Sequence, residues 1–304
     1  MNVLKTGFLL AAMTALFLVI GYALGGGTGA VIALVVASAT NLWAWWNSAS
    51  MVLRMHNARA VSRASAPELV GMVEALARRA DLPMPQVYVI ETDQPNAFAT
   101  GRDPANAAVA VTRGLLQTLD RDELAGVIAH ELAHIRNRDT LIMTVAASIA
   151  GAIGFLAHLA QWQMLLGGGR SERSNPVLGL IAILGVVLAP MAAMLVQLAI
   201  SRTREYSADR LAAEITGDPM ALASALRDIE RIGASRLNPY AERAPEMAHL
   251  YITNPLRRGG LDSLFRTHPR TEDRIKALMA FAQKRGLGTG PRATLGGQGR
   301  GPWG

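Results

Sequence analysis

The sequence predicts a mostly helical α+β protein carried on four transmembrane helices. Three observations lead there. Four long apolar stretches interrupt a chain of 304 residues that is 51% hydrophobic, and its mean hydropathy of +0.23 is high for a soluble protein. Between and after them run amphipathic helical patterns with few strand signals. One of those helices carries His130-Glu131-Leu132-Ala133-His134, a spacing with a chemistry of its own.

Residues 1–50 are expected to form a transmembrane hairpin. Thr6 to Leu24 and Ala30 to Trp46 flank the turn Gly25-Gly26-Gly27-Thr28-Gly29, and each approaches the roughly 20 residues that span a hydrocarbon core. A cleaved signal peptide is the rival for the first stretch, since Lys5 precedes it and small residues follow. The run is long for a signal core, however, and a second span comes almost at once. Residues 51–140 form the first soluble part. There Ser65-Ala66-Pro67-Glu68 has the form of a capping box, and Leu69, Met72, Val73 and Leu76 continue one apolar helical face. Gln86 to Ile90 is a β-branched and aromatic run, Asn96 to Gly101 a turn or strand, and Ala107 to Thr112 an extended segment. Asp120-Arg121-Asp122-Glu123 then starts a helix, with Asp120 as cap and Leu124, Val127, Ile128 and Leu132 as its apolar stripe.

Within residues 141–200, Leu141 to about Ala160 and Val177 to Ile200 make a second hairpin around the loop Gly167 to Pro176. Residues 201–285 return to soluble character. A helix opens at Asp218-Pro219 and runs towards Gly233, Asn238 to Gly260 is irregular, and Thr267 to Arg285 is helical again. The glycine-rich tail over 286–304 is expected to be disordered.

Charge orients the spans. Lys5, Arg54, Arg59, Arg63, Arg136, Arg138, Arg202 and Arg204 all flank them on one side, which the positive-inside rule assigns to the cytoplasm; Arg170 and Arg173 dissent, partly offset by Glu172. These flanks and a basic C-terminal part explain the net charge of +7, so no nucleic-acid partner is expected. The chain has no cysteine, and any metal site must therefore use histidine, carboxylate and water.

At about 3.6 residues per turn, His130 and His134 lie one helical turn apart and can point both imidazoles at one ion. Neutral imidazoles hold Zn²⁺, the metal lowers the pKa of a bound water, and Glu131 takes the proton as that water attacks an amide carbonyl. The order of helix, small sheet and metal-binding helix suits a zincin-like metalloprotease domain. Ala107 to Thr112 is expected to be its edge strand, holding an extended substrate against Val109 or Ala110.

The third ligand must share a membrane side with the histidines, which leaves out Glu172. Glu205 is the first acidic residue after the fourth span, and Asp209 follows at i+4 on the same helical face, as a ligand and its support would. At ~1.5 Å per residue, His134 is about 9 Å of helix from the boundary near Thr140, and Glu205 about 7.5 Å from Ile200. The two depths match. A solvated carboxylate paired with Arg202 or Arg204 is the rival reading of Glu205.

Ser201-Arg202-Thr203-Arg204-Glu205-Tyr206-Ser207-Ala208-Asp209 now joins Asn96-Ala97-Phe98-Ala99, the His130 to His134 motif, both hairpins and Thr267-His268-Pro269-Arg270-Thr271-Glu272-Asp273-Arg274-Ile275. Together these make nearly the whole chain resemble the HtpX heat-shock membrane proteases, relatives of the CAAX prenyl-protein endopeptidases. The resemblance implies a multi-pass inner-membrane zinc endopeptidase with its active site facing the cytoplasm. Its substrates would be misfolded or damaged membrane proteins and unfolded polypeptides, met at the lipid bilayer in quality control under stress. It implies one Zn²⁺ per chain on His130, His134 and Glu205, with Glu131 as base and Asp209 bonded to a ligand histidine. It also brings His268 and Arg274 near the substrate carbonyl or oxyanion. By the same analogy Asn96 touches substrate, though after Pro95 it is also a natural turn residue. His268 could equally cap the last helix, and Arg274 pair with Glu272 or Asp273. Two alternatives stand beside this reading: a prenyl-protein processing protease, and a membrane chaperone or scaffold whose motif is catalytically silent.

Overall fold

The computed structural model describes residues 2–141, 143, 202–235, 252 and 269–287. His268, nearly all of the third and fourth apolar stretches, most of the irregular stretch and the tail from 288 lie outside the described residues. What is described is mostly helical α+β. Helix α1 (Asn2–Met55) leaves helical geometry at Gly25 and Gly26. A Cβ added at Gly29 would stand 2.1 Å from the Gly21 carbonyl oxygen, whereas eight residues of straight helix would separate the two glycines by about 12 Å. The chain therefore doubles back at the glycine turn. Among the described residues no helix is long and apolar enough to cross a membrane. Large apolar side chains nonetheless stand exposed along α1 from Tyr22 to Trp46, Val31, Val35 and Trp43 among them.

Among the described residues, four strands form one sheet in the order β1-β2-β4-β3, with β1 Arg59–Val61, β2 Gln86–Ile90, β3 Ala97–Gly101 and β4 Ala107–Thr112. β2 and β4 run parallel, and the outer pairs are antiparallel. β4 is thus interior, which corrects the expectation that Ala107 to Thr112 is an edge with Val109 or Ala110 facing substrate. All six of its residues are buried. Val109 and Val111 enter the main core, while Ala108 and Ala110 pack on the other face against Val52 and Leu53 of α1, as the two-residue period of a strand requires. Covered on both faces, β4 has no polar side to mark its place in the sheet.

Among the described residues, β3 is one edge of the sheet and β1 the other. Thr112 N–H donates to the Asn96 carbonyl at 2.9 Å, so Asn96, Phe98 and Thr100 pair with β4. By alternation, the main-chain groups of Ala97, Ala99 and Gly101 point away from it.

Helix α2 (Pro67–Arg79) starts after Ala66 with no side-chain cap. The capping box expected from Ser65 does not form, because the Ser65 hydroxyl accepts from the Ser62 N–H at 2.9 Å instead. After the short α3 (Arg113–Thr118) comes α4 (Arg121–Arg136), whose capping box is complete. Asp120 Oδ1 accepts from the Glu123 N–H at 2.8 Å, and Glu123 Oε2 from the Asp120 N–H at 3.0 Å, an arrangement worth about 1 kcal/mol. Helix α4 lies between the sheet, α2, α5 (Arg202–Thr216) and α6 (Pro219–Ser235), with every residue from Gly126 to Ile135 buried. A Cβ at Gly126 would stand 2.9 Å from the Leu222 nitrogen of α6; only glycine allows this approach. Asp218 caps α6 by accepting from Met220 and Ala221 N–H at 3.0 Å. The last helix, α7 (Thr271–Lys284), packs on α5 and α6.

The C-terminus of α4 departs from the straight helix assumed for the depth of His134. Arg138 adopts φ 56, and the Asp139 N–H turns back to the His134 carbonyl at 2.9 Å while the Arg138 N–H reaches Ile135 O at 3.0 Å. This is a Schellman-type ending with arginine at the left-handed position. The chain turns beneath His134 rather than rising from it to Thr140.

Candidate metal centre and active site

α4 and α5 pack along each other and bring together three side chains whose separation in sequence hides their proximity. His130, His134 and Glu205 each offer one ligand atom within 4.8 Å of the others, and all three are buried. The two Nε2 atoms are 3.2 Å apart; Glu205 Oε2 lies 3.6 Å from His130 Nε2 and Oε1 lies 3.6 Å from His134 Nε2. Ligand atoms at ~2.0–2.1 Å from a tetrahedral Zn²⁺ sit about 3.4 Å from one another. The donor set therefore fits zinc in type and in spacing. Charge agrees. The buried carboxylates Glu131, Asp139, Glu205 and Asp209 face the guanidiniums of Arg204 and Arg274, leaving an excess of two negative charges that a divalent cation cancels.

Behind each histidine stands a carboxylate. His130 Nδ1 lies 3.0 Å from Asp209 Oδ1, and His134 Nδ1 lies 3.2 Å from Asp139 Oδ2, so each ring is turned with Nε2 towards the common point. Asp139 is absent from the sequence reading. Its signal is indirect: it follows the motif by five residues, and only the left-handed turn at Arg138 folds it back beneath His134. Asp209 has a second partner in Arg274, whose Nη2 and Nε donate to its two oxygens at 2.6 and 2.9 Å. Arg274 Nη1 donates to the Ile252 carbonyl at 3.1 Å, and Nη2 lies 3.4 Å from both nitrogens of His130, against the ring rather than along either N–H axis. Arg274 is 1% exposed. It is brought to the site, with its hydrogen bonds turned to Asp209 and Ile252 and its Nη1 3.8 Å from Glu205 Oε2, so the geometry assigns it to holding Asp209 and lending charge beside Glu205. Neither Glu272 nor Asp273 takes it.

These contacts set the electrostatics. Burial alone would raise the Asp209 carboxyl, but the Arg274 charge and hydrogen bonds outweigh it and hold it at about 2. Burial and Arg274 both lower His130, yet its bonds to Asp209 and Glu205 prevail and bring it to about 9 in the metal-free chain. A proton and a metal thus compete for this ring. Burial pushes the Glu131 carboxyl above the usual range, against the pull of both histidines, which suits a group that must take up and give back a proton. Glu131 Oε2 accepts the Ala99 N–H of β3 at 2.8 Å. Asn96 is buried; its N–H donates to Thr112 Oγ1 at 2.8 Å and its Oδ1 accepts the Ile252 N–H at 3.1 Å. It therefore joins the start of β3 to the segment that also meets Arg274.

Comparison with known proteins bears on this geometry. The model of Peptidase family M48 matches residues 63–282, a span that holds the three donors, Glu131 and both supporting carboxylates. Among solved structures, the crystal structure of S. mikatae Ste24p is similar at 18% identity with a TM-score of 0.48, over 91% of this chain and 65% of that one. The chain spans about two thirds of that protein's length.

Proposed function

The chain belongs to peptidase family M48, and on that premise we propose that it is a membrane-integral zinc endopeptidase. It hydrolyses peptide bonds of misfolded or damaged membrane proteins at the cytoplasmic membrane face. One observation carries the reading: a buried three-donor set lies next to a carboxylate that is itself bonded to the outer strand β3. Zn²⁺ held by His130, His134 and Glu205 would polarise the scissile carbonyl and make water acidic enough to react near neutral pH.

The chain's own residues do the rest. Asp209 and Asp139 keep the two rings oriented through Nδ1. Glu131 accepts the proton of the attacking water and returns it to the leaving amine. The outward edge of β3 can take an extended peptide by main-chain hydrogen bonds, and the Ala99 N–H fixes that edge against the base. The apolar composition and the exposed apolar side chains of α1 support the membrane setting.

Chelation should abolish casein digestion, and added zinc should restore it. Glu131→Gln should keep zinc and lose turnover, because an amide cannot take the proton while both imidazoles remain. Substantial residual proteolysis in that variant would remove Glu131 from its role. A farnesylated CAAX peptide in the same assay separates a prenyl-protein processing enzyme, which would cut it in preference to casein.

A further inference from the structure

The strand β3 is held from three directions, and two of them belong to the site. Its inner edge pairs with β4, and Glu131 takes the Ala99 N–H. The third tie comes from α1. On the sheet face away from α4, Val52 and Leu53 pack with Phe98, Ala108 and Ala110, and the His56 ring centroid lies 5.1 Å from that of Phe98. Just past the strand, the Arg102 guanidinium lies 4.2 Å from the ring centroid of Trp46 and 6.0 Å from that of Trp45, with Nη1 3.5 Å from the Trp46 carbonyl oxygen. The Arg102 side chain is only 20% exposed, and a cation over an aromatic face gains most when withdrawn from water.

Its backbone neighbours set the place of Arg102. Gly101 before it has φ 137, and Asp103 after it caps the short turn Pro104–Asn106, accepting the Asn106 N–H at 2.9 Å. Trp46 closes the second apolar stretch, the position at which an aromatic ring settles at headgroup level. The β4 ladder and the Phe98 cluster hold β3 in the sheet without Arg102. Beyond the strand's last pair, between Gly101 and Ala107, the turn leads back into β4, and Arg102 adds a tie from that end to α1.

We propose that Arg102 and Trp46 are a positioning pair that ties the substrate strand to the apolar helix α1 and sets where an extended peptide lies relative to Glu131. The inference rests on β3 being the edge that receives substrate. A shift of about 1 Å in that edge is enough to misalign a peptide with the base, so the pair acts on the turnover of bound substrate and leaves the metal centre alone.

The test uses the full chain in phosphatidylethanolamine/phosphatidylglycerol vesicles, with kcat, KM for unfolded casein and zinc content measured for Arg102→Ala, Trp46→Ala, the double variant and Trp46→Phe. Each alanine variant should lower kcat about three- to tenfold, with KM and zinc content within about twofold of wild type. The double variant should be no worse than Arg102→Ala, which already removes the Trp46 contact together with those to Trp45 and Asp103, and Trp46→Phe should restore kcat. An unchanged kcat, a rise in KM alone, additive effects in the double variant, or zinc loss in a single one would overturn the proposal. Glu131→Gln measured alongside separates the two readings. If it still cleaves casein, the reading of the site fails; if it is inactive while the pair variants behave as wild type, only the positioning pair fails.

Discussion

Glu205 and Asp209 lie one turn apart on α5, yet their neighbours predict opposite losses. Glu205 faces the two Nε2 atoms, so Glu205→Ala should empty the metal site and leave the metal-free fold intact. Asp209 neutralises the buried guanidinium of Arg274 as well as orienting His130. Asp209→Ala removes the nearest counter-charge and leaves Arg274 in the interior with only Glu205 Oε2, at 3.8 Å; breaking a buried pair in this way costs up to about 3–5 kcal/mol. Melting both variants in chelator checks this: a lower Tm for Glu205→Ala than for Asp209→Ala would reverse the assignment. Asp139→Ala should weaken zinc binding about 10- to 100-fold by releasing the His134 ring. Arg138→Gly should be tolerated, since glycine adopts a positive φ freely, and Arg138→Val should lower zinc affinity by misplacing Asp139; chelator competition measures each. The histidines and Glu205 were legible because helical spacing and the first acid after an apolar stretch are local signals. Asp139 was hidden by a backbone reversal; Arg274 was named by resemblance, but its hold on Asp209 was hidden because the two are 65 residues apart.

At the scale of elements, the sheet separates what a sequence pattern carries from what it omits. The ranges of β2 and β4 follow from short β-branched runs, and the start of α4 from its capping box, all contained within a few residues. Strand order is set by pairings between segments, and nothing inside Ala107–Thr112 says that β3 and not β4 lies outermost. β1, at three residues, is too short to show alternation. The corrected order changes the effect of proline. The Val109 N–H points towards β2, since Val109 sits opposite Ala99 in a pair that makes no ladder bond with β3. Val109→Pro therefore breaks an interior ladder and should lose zinc and activity together through misfolding. Ala97→Pro removes a donor that points outward, so zinc should be retained while KM for casein rises. Equal loss of zinc in both variants would place Ala97 in the interior of the sheet.

Across the whole molecule, the metal candidates are tied to the apolar stretches by very little chain. His134 precedes Thr140 by six residues and Glu205 follows Ile200 by five. The turn at Arg138 shortens this reach further, so even at ~3.3–3.6 Å per extended residue the site lies within about 20 Å of both boundaries. Substrate should therefore be met close to the bilayer surface. Peptide laid on β3 must be extended, and a folded domain offers such a segment only after local unfolding, whose free-energy cost lowers the fraction available for cleavage. Juxtamembrane segments and cytoplasmic loops of membrane proteins, together with unfolded chains, should accordingly be cut in preference to folded soluble domains. Cleavage sites mapped in bilayers with the chain inserted in one direction provide the measurement. The expected pattern is a cluster of cuts near the membrane on the side that carries Arg54, Arg59 and Arg63; cuts confined to the opposite face, or to compact domains far from the bilayer, would contradict both the orientation and the choice of substrate.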